Sequence, residues 1–190
     1  TDIWSRVEAE RGLRYQATHD ALTALPNRST FVRQLDMAIG MAGQTGTQVG
    51  VLFLDMDSFK AINDSIGHES GDEVLQQIGR IVKDSLRPED LVARFGGDEF
   101  LVMVPQMQSF EQIAQIADRI IGHLETPMLV QKQEFHMTAS MGIAVYPFDG
   151  LDANTLIKHA DLAMYKAKAQ GKNQYAFCTE DMKQETIRMI

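Results

Sequence analysis

Two apolar runs joined by a very short connection constrain this chain more than any other feature. Leu91-Val92-Ala93 precedes and Phe100-Leu101-Val102-Met103-Val104 follows the segment Arg94-Phe95-Gly96-Gly97-Asp98-Glu99. Strands linked so tightly pair as antiparallel neighbours, because a parallel return needs a long crossover. Adjacent glycines supply the positive φ that tight hairpin turns require. Turn economy does not explain the two carboxylates that follow at once. Neighbouring side chains on a strand point to opposite faces, so one of Asp98 and Glu99 can aim at a site while the other lies across the pleat.

A second apolar run, residues 49–57, also ends in carboxylates, Asp55 and Asp57. It reads as a buried strand that surfaces at its end. In an antiparallel sheet that end can lie beside the turn of the neighbouring hairpin, within a few ångströms of Asp98. Two carboxylates that close repel, and one is driven to take a proton. A hard divalent cation relieves the repulsion, and Mg2+ favours one or two carboxylates together with phosphate oxygens.

The rest of the chain supplies the frame. Helical spacing of apolar residues appears over 71–86, 110–124 and 155–167, and a polar helix with a thin stripe of Ile3, Val7 and Leu13 over 2–18. Residues 18–28 read as a further, structural helix and 43–48 as a loop. Strands are expected at 91–95, 100–104, 135–146, 174–177 and, shorter, 128–131. Helices around a sheet whose centre is an antiparallel hairpin predict an α/β (α+β) sandwich of the split βαβ kind, with about five strands, rather than a doubly wound dinucleotide fold.

Composition bounds the function. Of 190 residues, 44% are hydrophobic, which suits one domain with a real core. The net charge of −8 argues against DNA or RNA as a partner, because such binding needs excess Lys and Arg. The single cysteine, Cys178, reads as a small apolar residue and fits a reducing cytoplasm. No stretch of 18 apolar residues is present, and the charged N-terminus does not read as a signal peptide, so cytoplasmic placement without membrane contact by this fragment is expected, with attachment to a larger membrane protein left open.

Several long segments together resemble the GGDEF family of diguanylate cyclases: "HDALTALPNR" (19–28), "LDMDSFKAINDSIGHESGDEVL" (54–75), "ARFGGDEF" (93–100) and "ADLAMYKAKAQGKNQ" (160–174). The resemblance covers residues 16–178. It implies a largely antiparallel sheet like that of nucleotidyl cyclases and polymerase palms, and the condensation of two GTP into cyclic di-GMP and two pyrophosphates. It divides the chain into a connecting helix (1–17), the catalytic domain (18–178) and a helix (179–190) similar to the link to a phosphodiesterase domain.

Carried over position by position, the resemblance makes Asp55, the backbone carbonyl of Met56, and Asp98 ligands of two Mg2+ ions, with Mn2+ as an alternative. Glu99 becomes either a further ligand or the base for the attacking hydroxyl. Gly96 and Gly97 would lie close against the nucleotide. Asn63 and Asp72 match guanine readers. A carboxylate accepts from both donors on guanine's edge and meets an acceptor on adenine, so Asp72 favours GTP. Asp72 also reads as an acid in a helix's first turn, where the dipole favours it. Lys60, Lys168 and Lys172 would hold phosphates, the last two four residues apart on or just past a helix. Lys172 stands where the family more often has Arg, and a point charge replaces a bidentate grip. Ala24 stands in place of a Gly and Ser58 in place of an aromatic, and Asp20 and Arg28 resemble residues that tie the N-terminal turn to the body.

The product has two equivalent bonds and each site would hold one α-phosphate. A second copy of the domain must therefore present the other GTP about a two-fold axis. Arg87 and Asp90, spaced as in the family's RxxD site, with Arg119 behind them, would bind the product and inhibit. The alternative is a catalytically weak module that binds GTP or cyclic di-GMP and regulates a neighbouring domain.

Overall fold

The computed structural model describes residues 2–188, with side chains to residue 184. The C-terminal two positions of the expected 179–190 helix, and Thr1, lie outside the described residues. Element order is α1 (Ile3–Thr18), α2 (Arg28–Thr45), β1 (Gln48–Met56), α3 (Phe59–Ile66), α4 (His68–Asp84), β2 (Leu91–Gly96), β3 (Glu99–Met107), α5 (Phe110–Leu124), β4 (Met128–Val130), β5 (Gln133–Phe135), β6 (Ala139–Tyr146), α6 (Ala153–Ala169), β7 (Gln174–Phe177) and α7 (Glu180–Arg188).

Five strands form the main sheet in the order β2-β3-β1-β6-β7, antiparallel except for the parallel β6–β7 pair, while β4 and β5 make a separate ribbon. This is the expected α+β sandwich. Strand β1 lies at its centre and is apolar on both faces. Leu52, Leu54 and Met56 pack with Val74 and Ile78 of α4 and Ile113 and Ile120 of α5. Val49, Val51 and Phe53 pack with Phe31 and Leu35 of α2 and Leu156 and Ala160 of α6. Burial on both faces explains why the run reads as continuous rather than alternating. Helix α6 sits so close to β6 that a Cβ on Gly142 would come within 2.0 Å of the Ala160 carbonyl oxygen.

Four parts of the fold differ from the sequence reading. Residues 18–28 are not helical. Pro26 pairs with His19 in a short bridge, and the Asp20 carboxylate accepts from the amide and hydroxyl of Thr23, closing a turn. Helix α2 fills a stretch for which the sequence pattern predicts no element and takes in the front of the expected 43–48 loop. Asn27 caps it by accepting from the Thr30 amide, and Gly46 ends it at φ 72°. The expected strand 135–146 breaks at 136–138, so only Phe135 belongs to β5 and β6 begins at Ala139. Helix α3 was also missed; its eight residues are too few to print a clear period.

Helix α1 buries no residue. Its end is nonetheless tied in, because Thr30 donates to the Thr18 carbonyl and Asn27 to that of Ala17. Helix α7 is pinned by Lys183, whose ammonium lies 2.8 Å from Asp149 and donates to the Phe148 carbonyl.

Ala24 holds φ 62°, a left-handed conformation that opposes a Cβ. Ala24→Gly is therefore expected to stabilise the chain by about 1 kcal/mol, read as a higher urea midpoint with an unchanged m-value.

Candidate active site at the strand tip and hairpin turn

Register brings the carboxylates together. In the β1–β3 pair Asp55 lies opposite Glu99, which places the end of β1 against the hairpin turn. Gly96 pairs with Glu99, so Gly97 and Asp98 form the loop. Gly96 and Gly97 hold φ 143° and 49°, as a left-handed turn requires. Asp98 thus sits in the turn itself, and Glu99 opens β3 on the face of the sheet covered by α2 and α6. Arg94 braces the loop by donating to the Gly97 carbonyl at 3.0 Å and to Asp20 at 3.0 Å. Partial burial opposes the charge of Asp20, but the hydrogen bonds from Thr23 and then the Arg94 guanidinium hold it below the usual carboxylate range. Arg28 lies 5.0 Å over the Phe95 ring.

Asp55 is the centre of the electrostatics. Its Oδ2 accepts from the Lys168 ammonium at 2.6 Å, while its Oδ1 is buried without a hydrogen-bond partner. Burial and the neighbouring Asp55 push Asp98 up to about 7. Glu99 is raised by burial and by the charges of Asp55 and Asp161. Asp161 is also raised: surrounding atoms desolvate its inner side although the residue is largely open, and Asp55 adds to this. Burial opposes the charge of Lys168, but its hydrogen bond to Asp55 and the nearby Asp57 and Asp98 raise its pKa.

Asp57 is not the solvated strand end the sequence suggested. It is 5% exposed and accepts from Thr138 at 2.6 Å, Ser140 at 2.7 Å and the Asn173 amide at 3.1 Å. It clamps the tip of β1 to β6 and to the turn after α6. Lys172 lies in that turn at φ 63°, past the end of α6 at Ala169, so it does not share a helical face with Lys168.

Other expected residues flank this centre. Asn63 ends up against α4, where a Cβ on Gly71 would meet its Oδ1 at 1.9 Å, and Asp72 follows directly on the exposed side. The Asn63 amide also contacts His68 Nδ1 at 3.3 Å. Lys60 is exposed on α3. Arg87, Asp90 and Arg119 are grouped elsewhere, at the other end of β2. Arg87 forks onto Asp90 at 2.8–3.2 Å, and Asp90's side chain is fully buried. Arg119 donates to the Ser85 carbonyl at 2.9 Å.

The sequence reading gave no role to Asp161 or Lys158, yet both line a cleft of about 440 Å³ beside Glu99 with Arg28, Phe95 and Asn154. The signal was available as spacing: 158, 161, 165 and 168 fall on one face of α6. His159 is half-buried and hydrogen-bonds through Nδ1 to the Asp149 carbonyl.

The glycine turn beside paired carboxylates, with a lysine on one of them, lies within a segment that matches a known family. The family model for the diguanylate cyclase GGDEF domain matches residues 17–174. The chain belongs to the GGDEF family. Over 98% of its length it is 37% identical to the bifunctional diguanylate cyclase/cyclic di-GMP phosphodiesterase MucR of Pseudomonas aeruginosa, covering 27% of that protein. It is also 37% identical over its full length to the cyclic di-GMP phosphodiesterase PdeR of Escherichia coli, covering 28%. The chain thus spans little more than a quarter of these relatives. Among solved structures it resembles the GGDEF domain of TpbB from Pseudomonas aeruginosa, with TM-score 0.86, 38% identity, and coverage of 89% of this chain and 99% of that one.

The GGDEF site fits a hard cation. Asp55 Oδ1 is an acceptor lacking a donor, and Asp98 shares the site with it. No three His, Cys, Asp or Glu side chains among the described residues form a cage by themselves. Mg2+ completes its shell with backbone, water and phosphate oxygens.

The raised Asp98 has a measurable cost. Between the unfolded carboxylate's pKa of 3.8 and about 7 the folded chain binds the extra proton, so stability falls as pH rises through that window. Asp98→Asn is expected to raise the melting temperature of the metal-free domain by a few degrees at pH 8 and not at pH 4, read by differential scanning fluorimetry.

Proposed function

We propose that this domain is an active diguanylate cyclase that condenses two GTP into cyclic di-GMP and releases two pyrophosphates. What supports this most is the Asp55–Asp98 pair with its partnerless buried oxygen, on a chain that retains Gly96, Gly97 and Glu99. Asp55, the Met56 carbonyl and Asp98 would hold two Mg2+ ions, which would supply charge stabilisation at the α-phosphate, and Glu99 is left to act as the base. Asn63 and Asp72 read guanine, and Lys60, Lys168 and Lys172 hold the phosphates. Lys168 neutralises Asp55 before loading. With a cation in that role, the Lys168 ammonium would be free to turn towards the triphosphate. Glu99 faces the incoming 3′-hydroxyl and takes its proton.

Catalysis requires a second copy of the domain, with α1 favouring the pairing and α7 leading towards a further domain. The product returns to Arg87, Asp90 and Arg119. Binding there breaks the Arg87–Asp90 fork so that guanidinium and carboxylate both turn to the ligand. A second reading, a regulatory module without turnover, draws support from relatives such as PdeR that are named only as phosphodiesterases.

Incubation with GTP and Mg2+, followed by mass detection of cyclic di-GMP, separates the two. The expected outcome is product from the wild type and a loss of at least about a hundredfold in Glu99→Gln. Bound GTP without product would establish the regulatory module. Arg87→Ala is expected to retain the initial rate and lose the slowing that added cyclic di-GMP causes. Inhibition unchanged in that variant would remove the assignment of the product site.

A further inference from the structure

Glu99 has two flanks. On one lie Asp55, Asp98 and the route to Asn63 and Asp72. On the other the cleft of about 440 Å³ opens between the start of α2 and the side of α6, with Arg28 and Lys158 as cations and Asp161 as anion. Its size suits a nucleoside-sized group. Helix α6 continues the same surface. Asp161, Tyr165 and Lys168 follow at intervals of four and three residues, so they stand on one face, and Asp161 precedes Lys168 by about 10 Å along the axis. Tyr165 is 73% exposed and occupies the middle of this stripe. A large aromatic left open between an acid and the phosphate-binding lysine is unexplained by packing: α6 turns Leu156, Ala160, Ala163, Met164 and Ala167 into the core, away from this stripe, and only Ile157 borders the cleft.

The bound GTP of the same subunit gives a reason for this surface to be polar but not for its composition. A triphosphate needs cations, and here an acid faces the opening. A ribose bearing free hydroxyls needs acceptors, and a base needs a flat apolar plane; Asp161 and Tyr165 are those two groups. We propose that the cleft and the α6 stripe form an acceptor subsite, in which Asp161 holds the ribose hydroxyls, and Tyr165 the base, of the GTP carried by the partner copy. This rests on the cyclase reading above and deepens it. Held there, the partner's 3′-oxygen forms a bond to the α-phosphorus of the resident GTP. The bond from that phosphorus to the bridging oxygen of the β-phosphate breaks, pyrophosphate leaves, and the hydroxyl proton passes to Glu99. The first round leaves a linear dinucleotide, and the same step in the other subunit closes the ring.

Both side chains are open enough to replace without unfolding the domain, and Asp161→Asn and Tyr165→Ala are expected to melt with the wild type. The expected result is a fall in cyclic di-GMP formation of about tenfold to a hundredfold in each. Affinity of the single subunit for a GTP analogue with a methylene bridge between the α- and β-phosphorus is expected to stay as in the wild type. Wild type mixed with excess Asp161→Asn forms dimers with one intact subsite, and these are expected to accumulate the linear dinucleotide. An unchanged rate in Asp161→Asn beside an active wild type overturns the subsite alone. So does analogue affinity that falls with the rate, since Asp161 would then serve the resident nucleotide. A wild type that makes no cyclic di-GMP overturns the cyclase reading and the subsite with it.

Discussion

The site depends on a repulsion that the fold enforces. The β1–β3 register sets Asp55 opposite Glu99, and the glycine turn then has only one place to put Asp98, beside Asp55. Neither strand can slip to relieve the crowding. A shift of one residue would turn Leu52, Leu54, Phe100 and Val102 out of one core and Val51, Phe53 and Leu101 out of the other. A sheet buried on both faces can therefore hold carboxylates together against their charge. The strain appears as an Asp98 that keeps its proton to about 7 and as an Asp55 oxygen with no partner.

Holding them together also requires that the strand tip not fray. Asp57 supplies this, two residues beyond Asp55 and pointing to the same side of the strand. Its three donors come from β6, from the segment before it, and from the turn after α6. The same carboxylate thus fixes the backbone next to Lys172. The Arg94–Asp20 ion pair does the equivalent work for the hairpin, fastening the loop to the turn that precedes α2. Two acidic residues, Asp57 and Asp20, thus hold two others, Asp55 and Asp98, in place.

Which features the sequence disclosed follows from how locally each is encoded. The hairpin, the position of β1 beside it and the meeting of Asp55 with Asp98 were legible because strand period, glycine turn and carboxylates all lie within short windows. The roles of Asp57 and Asp161 were not. A buried Asp and a solvated one look alike until the donors from Thr138, Ser140 and Asn173, more than 80 residues away in each case, are placed around it. Asp161 and Lys158 read as an ordinary polar helix face, and only the packing of α6 across β1 and β6 brings that face to Glu99. Helix α2 was missed for a different reason: its apolar positions Phe31, Leu35, Ile39 and Ala42 are interleaved with Gly and polar residues, which weaken the pattern without breaking it.

Lys168 links these observations. A lysine 2.6 Å from Asp55 is a good counter-ion, but it is tethered and monovalent, and it satisfies only one of that residue's oxygens. Asp98 and the other oxygen of Asp55 are left to compete for a proton. A divalent ion between them would answer both at once and make the lysine surplus on the carboxylate. Because Lys168 stands on α6, anchored through Ala163, Met164 and Ala167, the ammonium can leave Asp55 only by swinging about its own flexible stem while the helix stays fixed. The charge it carries then remains within the site, next to where a triphosphate's own charge would arrive. On the cyclase reading, loading metal and gathering phosphate would in this way be one electrostatic event, set by how few places a tethered cation can go.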